Sequence, residues 1–437
     1  MTVRSKNESW RSLVGHTLLA NGATTLLGLI NSIVISRSLG PGGRGELAAT
    51  LLWPGLLIYL SSMGLIVAAV YFSSQASARP QVLLNNLIAF GVLLSALAIP
   101  IGFFALPWLL RSQSSAVVHA SRWYLAVIPL SLLNQFGLGI LQGRLRLRWV
   151  NRLRLIMPCG YLVGTIALLL SHQLTVMNIV AVQLVLNLVS LLATIVVLAI
   201  HGVHPNFKID LDLGRRMFGY GCKVHLGQVS GLANISLDQA LIAAWLPPAY
   251  LGLYVVAVSV SGVPQLFASA VEAVTTPSVG QKESRNEQRE LALAAFRRYW
   301  RVSLLIVVSM AALLPLAIPV IFGSSFKSAL LPAEILLLAS LFMGARQVLG
   351  GVSFALGDPL LGSKGNIAGL LGTVILLYLL LPALGIVGAA IASAGAYFAE
   401  VAVILYGLRR RHAIPTAQFF RLHSKVEMAQ PLLAVKD

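Results

Sequence analysis

Long apolar runs alternate with short polar connections along most of this chain. Each run approaches the roughly 20 apolar residues that a helix needs to cross the hydrocarbon core of a bilayer. Lipid offers the backbone no hydrogen-bond partners, so such runs must be helical. We therefore predict twelve membrane-spanning helices, near 13–36, 47–72, 82–108, 117–141, 150–170, 175–200, 217–245, 250–275, 301–322, 332–356, 366–382 and 385–407.

The composition favours the same fold class, an all-α integral membrane protein. Hydrophobic residues make up 57% of the 437 positions, charged residues make up 11%, and the mean hydropathy is +0.84. A water-soluble chain of this length would leave much of that apolar surface in water. The two cysteines, Cys159 and Cys222, fall inside predicted spans, where we interpret them as apolar core residues rather than as a disulfide or metal site.

Positive charge orients the predicted helices. With both termini in the cytoplasm, 25 of the 32 basic residues lie in the termini and the cytoplasmic connections, whereas the outer connections hold only Arg37, Arg44, Arg111 and Lys327. Such an excess is typical of the cytoplasmic side of membrane proteins. The net charge of +18 is then mostly a consequence of topology and of contact with anionic membrane lipids, and no nucleic-acid partner is expected.

A weak internal repeat divides the spans into two groups of six. A shift of 207 residues superposes Leu39 on Leu246, Pro41 on Pro248, and Gly45 on Gly252. Each half contains an even number of spans, so the two repeats run parallel and are related by a pseudo-twofold axis along the membrane normal, as in several transporters. We predict an N-terminal six-helix lobe over 1–205, a C-terminal six-helix lobe over 206–408, and a cytoplasmic tail over 409–437.

The first outer turn carries a family resemblance. A span containing Asn21, Gly22 and Asn31 leads into Arg-Ser-Leu-Gly-Pro-x-x-x-Gly, which ends at Gly45. This pattern resembles the bacterial polysaccharide exporters of the multidrug/oligosaccharidyl-lipid/polysaccharide superfamily, which includes the lipid-linked oligosaccharide flippases. The turn at Leu246–Tyr254 is similar to the second-half counterpart in that family.

The resemblance implies a V-shaped, two-lobed transporter of the fold found in multidrug exporters of that superfamily, working by alternating access. It implies that the chain flips an undecaprenyl-diphosphate-linked oligosaccharide to the outer leaflet of the bacterial inner membrane, for surface polysaccharide biosynthesis. The expected partners are this anionic lipid-linked oligosaccharide and membrane lipids, with a polysaccharide polymerase or export machinery as further candidates. No cofactor is expected, and Na⁺ or H⁺ are the candidate coupling ions.

Ionisable residues inside the spans are the candidate functional residues, because their burial in a membrane is costly. Arg346 lies deep in the tenth span. Its guanidinium must either face a wet cavity, where it suits a diphosphate, or pair with Glu400 in the twelfth span. We take Arg346 as the principal candidate for substrate binding and keep both alternatives open.

Four further charged residues complete the candidate site. Lys223 and Glu272 have similar depth on consecutive spans, so they form either a neutralising pair or part of a substrate path. Arg122 is either a substrate contact or an interfacial anchor. Asp238 aligns with Asn31 under the 207-residue shift and is either an ion-coupling carboxylate or a solvated acid near the outer end. Lys223 and Arg122 join Arg346 as substrate candidates, and Asp238, Glu272 and Glu400 are the ion-coupling candidates.

No catalytic motif is evident, and we expect no enzyme. The run Gly357-Asp-Pro-Leu-Leu-Gly-Ser-Lys364 lacks the lysine that a phosphate-binding loop requires directly after its second glycine. A cation-coupled multidrug exporter of the same superfamily is the first alternative, and a sugar-transporter-type major facilitator is the second. An integral-membrane polymerase or transferase is the alternative of another class, but the outer connections are too short for a catalytic loop.

Overall fold

The computed structural model describes residues 10–206, 208–282 and 284–420, and within these ranges the chain is helical with no β-strand. A single 3-10 turn, Ser324–Ala329, precedes α12. The helices are α1 (Trp10–Ser61), α2 (Leu65–Ser74), α3 (Pro80–Leu109), α4 (Ser115–Tyr124), α5 (Val127–Gly143), α6 (Leu147–Leu170), α7 (Val176–Ile200), α8 (Leu211–Trp245), α9 (Pro248–Ser261), α10 (Pro264–Gly280), α11 (Arg285–Ile321), α12 (Leu330–Ala355), α13 (Pro359–His412) and α14 (Thr416–Phe419).

Two helices are each interrupted at a glycine with positive φ. Gly40 in α1 has φ 65° and ψ −178°, and Gly385 in α13 has φ 58° and ψ −138°. A straight helix of 54 residues, the length of α13, would extend ~80 Å, more than twice the ~30 Å hydrocarbon core. These glycines therefore mark the two places where one predicted span ends and the next begins with almost no connection.

Within the described residues, eight helices are individually long and apolar enough to cross a membrane, and the count is nine if the bent pair α9 and α10 is one span. Because α1 and α13 are each interrupted once, α13 holds two predicted spans, and α1 holds the first predicted span and the beginning of the second, which continues in α2. The seventh predicted span corresponds to α8, which is long but has no stretch as apolar as those in the eight helices. The all-α membrane fold predicted from the apolar runs is confirmed.

The structure has polar contacts inside and apolar side chains outside, as expected of a protein surrounded by lipid. Between α5 and α7, Asn134 donates a hydrogen bond to Ser190 (3.0 Å) and accepts one from Thr194 (2.6 Å). On the surface, Phe104 and Leu305 are 77% and 67% exposed. These interior hydrogen bonds therefore join α5 to α7.

The contacts divide the described chain into two compact units. The first extends to Val256 and includes 318–328, and the second comprises 257–317 and the described residues from 329 onward. Helix α8 therefore groups with α1–α7. The connection before α8 is held to α3, because Asn85 donates to the carbonyl of Lys208 (2.8 Å) and Asn86 to that of Asp210 (3.0 Å). The lobe boundary at 205 and 206 stays a prediction, and residues 421–437 of the predicted tail lie outside the described residues.

Candidate functional site

Arg346 lies on α12 and contacts two residues of α13. Its Nε is 2.9 Å from Oε2 of Glu400, although its N–H is not aligned with that oxygen. Its Nη1 donates a hydrogen bond to Asn366 (3.0 Å). Glu400 is fully buried, whereas the Arg346 side chain keeps 22% exposure. The predicted alternative of a pair with Glu400 is thus present, and a role of Arg346 in substrate binding stays a prediction.

Gly369 makes room for this buried carboxylate. A Cβ atom at position 369 would overlap the carboxyl group of Glu400. Gly369 lies on one half of α13 and Glu400 on the other. Because Gly369 has no side chain, the carboxyl group of Glu400 fits against its backbone. The two halves of α13 therefore pack closely against each other around a buried charge.

Glu272 belongs to a polar cluster on α10 and α12. Its Oε2 accepts a hydrogen bond from Nε2 of Gln347 (2.5 Å), and the same Nε2 lies 3.2 Å from the hydroxyl of Ser269. Oε1 of Gln347 accepts a hydrogen bond from Nε2 of Gln265. Gln347 directly follows Arg346. The second unit therefore brings both of its candidate carboxylates, Glu272 and Glu400, next to one turn of α12.

Asp238 is buried, with 4% exposure. It accepts hydrogen bonds from the hydroxyl of Tyr254 (2.6 Å) and from the backbone N–H of Gln239 (2.7 Å). The alternative of a solvated acid is therefore wrong, and its carboxylate lies inside the first unit. A part in ion coupling stays a prediction.

The two remaining candidates differ in their surroundings. Arg122 donates a hydrogen bond from Nε to the carbonyl of Phe103 (3.1 Å) and its Cζ lies 4.1 Å from the centre of the Phe103 ring. These contacts hold α4 to α3, and both alternatives for Arg122, a substrate contact or an interfacial anchor, stay predictions. Lys223 is exposed on α8 in the first unit, whereas Glu272 is in the second, so their pairing stays a prediction.

The structure adds Arg44, which the sequence places in an outer connection. Because the helix resumes directly after Gly40, Arg44 lies in the first turns of the second half of α1. It lines a cavity of about 330 Å³, together with the polar side chains of Tyr59, Ser236 and Gln239. Its Nε is buried without a hydrogen-bond partner in the described part of the chain. A buried guanidinium donor facing a cavity is suited to binding an anion.

The cavity is next to a reciprocal helix crossing. A Cβ on Gly45 would overlap the carbonyl oxygen of Pro248, and a Cβ on Gly252 would overlap that of Pro41. The two glycines that the 207-residue shift superposes therefore contact each other's turns in the same way. Only glycine allows backbones to approach this closely, so the crossing depends on both residues.

The first unit thus brings together Arg44, Gln239 and the neighbouring Asp238 near the predicted outer ends of their helices, beside this crossing. The second unit brings together Arg346, Glu272 and Glu400. Within the described residues, no group of three His, Cys, Asp or Glu side chains has the arrangement of a metal site. The chemistry available is that of charged and amide groups, which bind and release anions, sugars or small cations.

Comparison with known proteins gives one family and several relatives. A family model described as polysaccharide biosynthesis protein matches residues 13–283. A probable low-salt glycan biosynthesis flippase, Agl15 of Haloferax volcanii, is 27% identical over 283 residues, which are 62% of this chain and 57% of that protein. The match thus spans less than two thirds of the relative's length.

Solved structures share the fold at low sequence identity. The lipid II flippase MurJ in an inward closed conformation has a TM-score of 0.75 at 15% identity, covering 92% of this chain and 88% of that one. A multidrug resistance MATE family transporter of the MOP superfamily, in an inward-facing conformation, has a TM-score of 0.73 at 17% identity, covering 90% and 95%. These structures show the fold, and the family model confirms the resemblance to polysaccharide biosynthesis proteins that the outer turn indicates.

Proposed function

Because the chain belongs to the polysaccharide biosynthesis protein family, we propose that it flips a lipid-linked oligosaccharide across the membrane by alternating access. The relative named as a probable glycan biosynthesis flippase supports this reaction. We further propose that the carrier lipid is undecaprenyl diphosphate, that the membrane is a bacterial plasma membrane, and that both termini are cytoplasmic. The distribution of basic residues supports the orientation.

The observation that carries the proposal is the cavity at Arg44. Its polar lining consists of one arginine and three neutral groups, Tyr59, Ser236 and Gln239, and the lining contains no carboxylate. A guanidinium donates several hydrogen bonds in a plane, which suits the oxygens of a diphosphate. Hydroxyl and amide groups bind sugar hydroxyls equally well as donors or acceptors. An anionic glycolipid head group therefore fits this lining better than a cation does.

Two other functions fit the structure less well. A cation-coupled multidrug exporter needs a carboxylate facing its substrate, but Asp238 is engaged by Tyr254 and Glu272 by Gln347. A polymerase or transferase needs an outer catalytic loop, but α8 and α9 are separated only by 246–247, and the two halves of α13 meet at Gly385. The helices therefore leave little room for catalytic machinery at these positions.

The experiment compares Arg44→Gln with Arg111→Gln in proteoliposomes that contain a fluorescent lipid-linked oligosaccharide. Both variants lose one positive charge near the predicted outer side, but Arg111 is exposed and does not line the cavity. We expect Arg44→Gln to reduce the flipping rate at least tenfold, since an anion loses a charge-assisted contact of about 1.5–3 kcal/mol. The Arg111→Gln rate should match the wild type. Equal rates in both variants would contradict a role for the cavity.

A further inference from the structure

A second cavity, separate from the polar residues above, lies in the second unit. It has a volume of about 470 Å³ and is formed by α11, α12, the end of α13, and α14 with the adjoining Phe420. Its walls are aromatic. Trp300 stacks edge-to-face with Phe420 (ring centroids 5.2 Å apart), and Phe342 packs the same way against Phe398 (5.4 Å). We refer to this cavity as the aromatic groove.

The aromatic groove is open at the surface of the second unit. Its floor is formed by the buried side chains of Val401 and Leu405, whereas Phe398 and Tyr406 at its edge are 57% and 58% exposed. Exposed aromatic side chains near the end of a membrane-spanning helix are suited to contact with lipid. An apolar groove of this volume that opens into lipid fits a hydrocarbon chain.

An arginine that forms no ion pair in the described part of the chain lies at one end of the groove. Arg409, Arg410 and Arg411 form the last turn of α13. Arg411 pairs with Asp358 at 2.9 Å, and Arg410 lies over the ring of Tyr406 at 5.4 Å. Arg409 lines the groove, is exposed, and has no ion pair or hydrogen bond within the described part of the chain.

We propose that the aromatic groove binds an anionic phospholipid, with one acyl chain between the aromatic side chains and the phosphate at Arg409. Three observations carry this assignment: the apolar walls, the exposed aromatic edge, and a guanidinium at one end that has no ion pair in the described part of the chain, with no carboxylate among the lining residues. Basic pockets at the ends of transmembrane helices are suited to anionic head groups. Trp300 and Tyr406 lie where interfacial aromatic residues are expected. This site is independent of the proposed transport reaction.

The test is native mass spectrometry of the full-length protein with equimolar phosphatidylglycerol and phosphatidylcholine of the same acyl chains. We expect the wild type to retain phosphatidylglycerol preferentially. Arg409→Gln should lower that preference about fivefold, the effect of one basic residue near an anionic head group. Arg298→Gln is the matched control, because Arg298 is an exposed arginine of α11 that does not line the groove. Its preference should equal that of the wild type.

A second variant tests the apolar part of the site. Ala402 lines the groove and is exposed, so Ala402→Trp fills the groove without entering the packed interior. It should lower the retention of both lipids. Equal retention of the two lipids by the wild type would overturn the proposal, as would equal losses in Arg409→Gln and Arg298→Gln. Displacement of phosphatidylglycerol by an equal amount of polyprenyl phosphate would assign the groove to the substrate's carrier lipid and would also overturn it.

Discussion

Loss of the charge on Arg346 should destabilise the protein more than loss of the charge on Glu400. The two side chains form an ion pair at 2.9 Å, but Glu400 is fully buried and Arg346 is 22% exposed. Arg346→Gln removes the cation that lies beside this buried carboxylate. Glu400→Gln leaves a guanidinium that reaches the surface and still donates to Asn366. The two substitutions therefore remove the same pair but leave different groups behind.

The expected magnitudes follow from this asymmetry. Removing one partner of a buried ion pair costs about 3–5 kcal/mol when a buried charge is left uncompensated, and this range applies to Arg346→Gln. Leaving a hydrogen-bonding group unsatisfied costs about 1–3 kcal/mol, which we expect for Glu400→Gln. In the double variant neither charge remains, so its loss should be smaller than that of Arg346→Gln alone. Residues in contact show such non-additivity, in which the loss of stability in the double variant differs from the sum of the two single losses.

The assay is the apparent melting temperature of the purified protein at one fixed scan rate, because large membrane proteins often unfold irreversibly. Asn366→Ala is the control, since it removes a neutral partner of Arg346 and should cost only about 1 kcal/mol. The reasoning is refuted if the double variant loses as much as the two single variants added together. A double variant that regains stability but not flipping would assign Arg346 to the substrate path, whereas recovery of both would make the pair structural.

Two further predictions concern the first unit. Gly45→Ala should force α1 away from the carbonyl of Pro248, which should cost about 1–3 kcal/mol of stability and slow flipping. Gly42→Ala is the control and should do neither, because Gly42 has open space around it. Equal flipping rates and melting temperatures in the two variants would contradict the close crossing. Asp238→Asn should reduce ion-dependent flipping, measured with imposed Na⁺ and pH gradients, without loss of substrate binding. An ion that binds this carboxylate can shift the equilibrium between two conformations only through a difference in its affinity for them. If flipping in the variant responds to both gradients as in the wild type, Asp238 has no part in coupling.

Much of the fold could be predicted because it depends on local pattern. Each span is a long apolar run, and the repeated outer turns contain the glycines that make the reciprocal crossing. The position of Arg44 could not be predicted in this way. A connection between spans normally has polar residues in a loop, but at Gly40 one residue of positive φ makes the break, so the arginine four residues later lies in a helix.

The candidate site was predictable only in part for a related reason. The depth of Arg346 and Glu400 follows from their positions along two helices, so their pairing was a foreseeable alternative. The partners of Asp238 and Glu272 are uncharged, and a tyrosine or glutamine in an apolar span carries no distinctive pattern. The aromatic groove depends on side chains from four separate helices, whose convergence has no signal in the order of residues.

The most direct test of the central claim is flipping by the purified wild-type protein. Proteoliposomes would contain a fluorescent lipid-linked oligosaccharide, and a membrane-impermeant reductant would report the fraction exposed outside over time. We predict a protein-dependent rise in that fraction, with no uptake of a cationic dye under the same gradients. Absence of any rise, together with gradient-driven dye transport, would contradict the proposed function and establish the multidrug alternative.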